Sequence, residues 1–215
     1  MYKAVLFDLD GTLLDTSVGV IKSIEYTINE LKLSPLSETE LKTFIGPPIY
    51  NSLKERYNFS DEEAAEATRI FRDTYKDRFL FEAEVYQNLF KVLETLRNRK
   101  IKIGVATYKR EDYAIRLLEH FGITDYCDVV HGADHDNKLT KSDIIKLCMD
   151  EMGIESPTEV VLVGDTSHDA IGAKNLEVDF IGVTFGFEFK KEEDINKYPN
   201  IGSIDNMIEL IEIVG

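Results

Sequence analysis

Short runs of apolar and β-branched residues recur along the chain, at 3–9, 101–107, 127–132, 159–164 and 178–184. Each predicts a strand buried on both faces, as in a parallel sheet. Between most of them apolar residues return at helical spacing. Leu89, Val92, Leu93 and Leu96 form one such face, Ile115, Leu117, Leu118 and Phe121 a second, and Ile144, Ile145, Leu147 and Cys148 a third. Strand–helix alternation of this kind predicts an α/β fold, a doubly wound parallel sheet with helices on both sides.

One interval breaks the rhythm. Residues 16–81 contain no convincing strand, only helical patterns: Val20, Ile24, Thr27, Ile28 and Leu31, then 53–57, then 64–81. Ser60 followed by Glu63 predicts a capping box opening the last of these. Ser34-Pro35 and Gly46-Pro47-Pro48 punctuate the interval, because proline and glycine disfavour continued helix. The interval is too long for a crossover connection. It predicts an inserted α-helical sub-domain at 16–81, with a discontinuous Rossmann-like core made of 1–15 and 82–215.

Composition narrows the partners. With 215 residues, 43% hydrophobic and 30% charged, the chain can bury a substantial core. A formal net charge of −15 argues against a nucleic acid polymer or an anionic membrane as partner. It leaves room for a small phosphorylated metabolite, since local cations and a metal can reverse the field in one cleft. No apolar run approaches the roughly 20 residues needed to span a bilayer, and no basic-then-apolar signal pattern precedes the first strand. A cytoplasmic protein is expected, its oligomeric state open. Cys127 and Cys148 are expected to be buried, reduced thiols rather than a disulfide or a metal site.

In doubly wound sheets, ligands bind beyond the carboxyl ends of the strands. Asp8, Asp10, Gly11 and Thr12 follow the first strand, and Thr107, Tyr108, Lys109 and Arg110 end the second. Lys141 opens a helix after the third. Asp165, Thr166, Ser167, His168 and Asp169 follow the fourth. Carboxylates crowded on one edge repel each other unless a cation neutralises them. Magnesium suits such oxygen ligands, and keeps waters beside a substrate phosphate. Thr107 and backbone N–H groups near Gly11 and Thr12 can then hold phosphoryl oxygens, and Lys141 can offset their charge. Of the two aspartates on the first strand, one can attack phosphorus while the other handles the leaving-group proton.

The ordered set DLDGTLLDT, VATYK, Lys141 and VGDTSHD resembles the haloacid dehalogenase-like phosphatases over essentially the whole chain. It most resembles the phosphoglycolate phosphatase-like branch, whose helical cap is inserted just after the first motif. FIGPPIYNSL and GDTSHDAIGAKN also resemble members of that branch, some described as 5′-nucleotidases or pyrophosphatases. The resemblance implies an Mg²⁺-dependent phosphatase working through an aspartyl phosphate. Asp8 is then the nucleophile, Asp10 the general acid/base, Thr107 a phosphoryl ligand and Lys141 a charge stabiliser. It further implies that Mg²⁺ sits on Asp8, the Asp10 carbonyl, Asp165 and, directly or through water, Asp169. Phosphosugar mutases of this kind commonly carry a histidine in the first cap helix. His120, His131, His135 and His168 all fall in the core. A dehalogenase would not need Asp10. A silent phosphate-binding scaffold would be free to lose the acidic set.

Some positions admit two readings. Lys138 stands near Lys141, which is preferred because it opens the helical pattern. Ser142 and Tyr86–Asn88 depart from the family pattern, and Asn88 is expected in a left-handed turn. Tyr108 replaces a small residue and should reshape the substrate pocket. His168 is expected in a turn or on the rim, His131 and His135 in solvated loop. Glu62, Glu63, Glu66 and Asp73 predict a solvated helix face.

Overall fold

The computed structural model describes residues 2–134 and 138–215, so His135 lies outside the described residues. Strand β1 (Ala4–Phe7) is buried at every position and lies inside a six-stranded sheet. Strands β2 (Leu14–Asp15) and β3 (Glu84–Val85) form a separate two-stranded sheet. The others are β4 (Lys102–Arg110), β5 (Val129–Ala133), β6 (Val160–Gly164), β7 (Asp179–Val183) and β8 (Gly202–Ile204). The large sheet runs β5-β4-β1-β6-β7-β8 with parallel pairings throughout. Phe7 is in register with Val105 on one side and Val163 on the other. Strand order moves outward from β1 to β5, then restarts at β6 and moves out the other way. The reversal falls at β1, and the crevice beyond its carboxyl end is where such a sheet takes ligands.

The five apolar runs all became strands of this sheet. The sixth strand, β8, follows no predicted run, because three residues carry too little pattern to register as a strand.

By contacts the chain divides into two units, one running to Asp15 and resuming at Val85, the other Thr16–Glu84. The second unit holds helices α1 (Ser17–Glu30), α2 (Glu38–Lys42), α3 (Ile49–Tyr57) and α4 (Asp61–Thr74), with α4 running on into a π-helical turn, Tyr75–Phe79. Its core is built from Val20, Ile24 and Ile28 of α1 with Ala64, Ala67 and Phe71 of α4. The Ser60 hydroxyl accepts the Glu63 N–H at 3.3 Å, while the Glu63 carboxylate accepts the Ser60 N–H at 2.8 Å. That is the capping box read from the sequence.

The first unit carries α5 (Leu89–Asn98), α6 (Glu111–His120), α7 (Lys141–Met152) and α8 (Ser167–Asn175). Helices α7 and α8 bury Ile144, Ile145, Ala170 and Ala173 against Ala4, Leu6 and Leu162. Helices α5 and α6 lie against β4. Successive strand residues point to opposite faces, so both faces of the sheet are covered. Asn88 takes φ 65°, ψ 2° at the start of α5, the left-handed turn expected of it. Cys148 is buried and Cys127 half-buried, both free, and burial pushes each thiol up to about 12. His131 is not a solvated loop residue. It lies in β5, its Nε2 2.8 Å from Glu151 and its Nδ1 3.4 Å from Glu111. Among the described residues no helix is long and apolar enough to cross a membrane.

Candidate active site

Asp8 follows β1 directly, and its N–H donates to the Val163 carbonyl of β6 at 2.9 Å. The aspartate therefore leaves the sheet while still fastened to the neighbouring strand. The chain then turns at Gly11, φ +81°, a left-handed conformation that favours glycine. A side chain there would also collide with the site, since its Cβ would lie 2.2 Å from Asp165 Oδ2. Thr12 Oγ1 lies 3.5 Å from the other Asp165 oxygen.

Asp165 comes immediately after β6 and is fully buried. Its Oδ2 accepts the Phe187 N–H at 2.6 Å. A capping box then opens α8. Thr166 Oγ1 accepts the Asp169 N–H at 3.3 Å, and Asp169 Oδ2 accepts the Thr166 N–H at 3.0 Å and hydroxyl at 2.7 Å. Asp169 is thus both cap and site residue, one oxygen for each. Its Oδ1 is 2.6 Å from Lys141 Nζ yet buried with no well-aligned hydrogen bond.

A second capping box, Thr140 with Asp143, fixes the start of α7 and makes Lys141 its first residue. Lys141 is 3% exposed, and its Nζ reaches Asp8 Oδ1 at 2.7 Å as well as Asp169. Lys138 is exposed. The structure brings Lys141, not Lys138, to the acidic edge. The Lys141 N–H donates to the Tyr108 hydroxyl at 2.9 Å, and its ammonium stands 5.8 Å from the Tyr108 ring centre. Tyr108 is therefore engaged in seating this lysine. His168, exposed at the start of α8, meets the Tyr108 ring edge-on at 5.3 Å, a rim position.

Asp10 has different company. Its Oδ1 lies 2.9 Å from Lys109 Nζ, and both side chains are largely buried. Thr107, 1% exposed, accepts the Lys109 N–H on its hydroxyl at 3.1 Å. Lys109 as the partner of Asp10 was not anticipated, nor was the Phe187 amide on Asp165. Nothing local marks either, because each joins segments far apart in sequence.

The electrostatics of the cluster follow from burial. Burial pushes the Asp8 carboxyl up to about 7, with Lys141 pulling down and Asp169 and Asp10 pushing up. Burial, then Asp169 and Asp8, hold Asp165 well above the usual carboxylate range. Burial pulls the Lys141 ammonium down, but Asp169 and Asp8 outweigh it and leave lysine above its usual range. Oxygens of Asp8, Asp165 and Asp169 all lie within 4.8 Å of one another. With every carboxyl ionised, Asp8, Asp10, Asp165 and Asp169 against Lys109 and Lys141 would leave two excess negative charges. That excess, the raised Asp8 and Asp165 carboxyls and the closeness of the three carboxylate oxygens fit one hard divalent cation. The side chain of Asp10 does not join the three-carboxylate cluster.

The haloacid dehalogenase-like hydrolase family model matches residues 5–183. The chain is 31% identical over 192 residues to a 5′-nucleotidase of Pseudomonas aeruginosa, covering 89% of this chain and 86% of that one. It is 31% identical over 214 residues to the tyrosine-protein kinase PtkA of Mycobacterium tuberculosis, covering 97% of this chain and 72% of that one. The crystal structure of a predicted phosphatase from Clostridium acetobutylicum superposes with a TM-score of 0.91 at 35% identity, covering 99% of this chain and 97% of that chain. With its acidic edge assembled at the switch point of a parallel sheet, this chain belongs to the haloacid dehalogenase-like hydrolases and is a phosphatase among them.

Proposed function

We propose that the chain hydrolyses small-molecule phosphate monoesters with Mg²⁺, through an aspartyl phosphate on Asp8. The observation that carries this reading is the division of labour between two buried ion pairs. Lys141 serves Asp8 and Asp169 at 2.7 and 2.6 Å, whereas Asp10 has its own cation, Lys109, at 2.9 Å. Two aspartates on one turn, held by separate lysines, suit the two jobs of phosphoryl transfer.

In the first half-reaction an Asp8 oxygen forms a bond to phosphorus and the ester P–O bond breaks. Asp10, protonated, gives its proton to the departing oxygen. In the second, Asp10 takes a proton from water. That water attacks phosphorus, the Asp8–phosphorus bond breaks, and inorganic phosphate leaves. Lys141 favours the charged form of Asp8 and faces the phosphoryl oxygens, with Thr107 and the amides after Asp10 holding the remaining oxygens. Asp8, Asp165, Asp169 and the Asp10 carbonyl would hold Mg²⁺, which when bound offsets negative charge on the phosphoryl group. The helical unit is the substrate-selecting cap in this reading, with hinges near Asp15–Thr16 and 81–85. Among the substrates that the resemblance admits, the Pseudomonas relative favours a nucleoside monophosphate over phosphoglycolate or pyrophosphate.

The test is release of phosphate from a generic aryl phosphate. Turnover is expected with Mg²⁺, and none in a chelator or in Asp8→Asn. Turnover surviving Asp8→Asn in a clean preparation contradicts the nucleophile assignment.

A further inference from the structure

Strand β4 leaves its ladder with β5 where it meets the acidic edge. Ala106 is in register with His131 and Arg110 with Ala133, so Thr107, Tyr108 and Lys109 stand opposite the single residue Gly132. Such a bulge bends the strand and re-aims its side chains. Gly132 closes it. A Cβ there would lie 2.5 Å from the Lys109 carbonyl oxygen and 2.7 Å from Glu111 Cα, backbone atoms that cannot swing aside. The Gly132 N–H turns to the Glu111 carboxylate at 3.1 Å. Inside the bulge the Lys109 N–H donates to the Thr107 hydroxyl two residues back, at 3.1 Å, a turn that curls the strand end.

The bulge decides the direction of one side chain. Lys109 is carried toward the end of β1, where its Nζ stands 2.9 Å from Asp10 Oδ1 in a pair largely closed to water. The backbone of Asp10 is fixed by its own turn, in which the Gly11 N–H donates to the Leu14 carbonyl at 2.9 Å and the Leu13 N–H to the Leu9 carbonyl at 3.0 Å. That turn does not set where the carboxylate points. The charge of Asp10 is felt by both Asp8 and Asp165, each of which it pushes up. Like charges drive a carboxylate away from such neighbours, and the Lys109 ammonium opposes that drift. Anchored through Oδ1, the carboxyl group keeps one orientation, and with it one line along which a proton can pass.

We infer that Lys109 is the positioning residue of the general acid: it aims Asp10 at the leaving oxygen and acts on the substrate only through Asp10. This rests on the phosphatase reading above. The cost of losing Lys109 then depends on the leaving group. An alkoxide needs a proton to depart and so needs Asp10 well aimed, whereas a nitrophenolate departs without one. A lysine that bound the phosphoryl group instead would matter equally to both esters, because the phosphoryl group is the same in each.

Wild type, Lys109→Met, Asp10→Asn and the double variant are compared on benzyl phosphate and 4-nitrophenyl phosphate with Mg²⁺, each first checked for an intact fold by circular dichroism. The quantity read is kcat/KM, which covers the steps through departure of the leaving group. Lys109→Met is expected to lower the benzyl-to-nitrophenyl ratio at least about tenfold, part of the roughly hundredfold or more that a positioned general acid supplies. The double variant should match Asp10→Asn within about twofold on both esters, because a residue that acts through Asp10 then has nothing to act on. An unchanged ratio in Lys109→Met, or a further loss in the double variant, overturns the inference and leaves the phosphatase standing. Wild type that hydrolyses only the nitrophenyl ester has no working general acid and overturns it as well. Wild type that hydrolyses neither ester contradicts the phosphatase reading itself. Lys109→Met buries Asp10 without its cation, so if that variant does not fold, the double variant decides.

Discussion

At the scale of single residues, the site is a problem of charge held out of water. Asp8 ionises at about 7 in the folded chain without metal, against 3.8 for the ordinary carboxyl. The folded state therefore holds this proton to higher pH than the unfolded state does. The stability tied to it is fully present below about pH 4 and is lost as pH rises to about 7. Replacing the group removes the loss. In chelator, Asp8→Asn is expected to melt above wild type by a few degrees at pH 8, with a smaller margin at pH 5. A margin that does not grow with pH contradicts the burial of this charge. Adding Mg²⁺ should raise the melting temperature of wild type more than that of Asp8→Asn. The two candidate lysines are separated just as directly. Lys141→Met leaves Asp8 and Asp169 without their shared cation and is expected to lower kcat by at least about a hundredfold. Lys138→Met, on the exposed loop, should stay within about twofold of wild type. Comparable losses in both would return the choice to where sequence alone left it.

At the scale of elements, helix starts do much of the positioning. Both α7 and α8 open on a threonine capping box, and each box sets a site residue, Lys141 in one and Asp169 in the other. Thr140→Ala is expected to cost about 1 kcal/mol, a fall of roughly 2–4 °C in Tm. It should also lower kcat, because Lys141 loses its fixed place at the head of α7. A variant that loses stability but keeps full kcat would show that Tyr108 seats the lysine alone. Such boxes are local, so they were partly legible: Ser60 with Glu63 was read from sequence, and the strand runs at 3–9, 101–107 and 159–164 placed Asp8, Thr107 and Asp165 on one edge. The rest was not local. The pairing of Asp10 with Lys109 depends on how β1 and β4 end side by side, and the Phe187 amide reaches Asp165 from beyond β7. Strand β8 and the β2–β3 ribbon are too short to leave a periodic trace. His131 was misjudged as solvated loop because only the fold shows Glu111 and Glu151 on either side of its ring.

At the scale of the whole molecule, the chain carries a net charge of −15 yet gathers two buried lysines among the carboxylates of the acidic edge. In the proposed reading local cations, not the overall field, decide what the site accepts. The two units divide the remaining work in the proposed reading, chemistry in the sheet-bearing unit and substrate choice in Thr16–Glu84. The central claim, that phosphate passes through a covalent bond to Asp8, is tested most directly by trapping that bond. Wild-type protein turning over a phosphate ester with Mg²⁺ is quenched in acid, digested and examined by mass spectrometry. One phosphoryl group on the peptide bearing Asp8, removable by hydroxylamine and absent from Asp8→Asn, is the predicted result. Full turnover with no phosphoryl group on that peptide, or with the group on another residue, contradicts it.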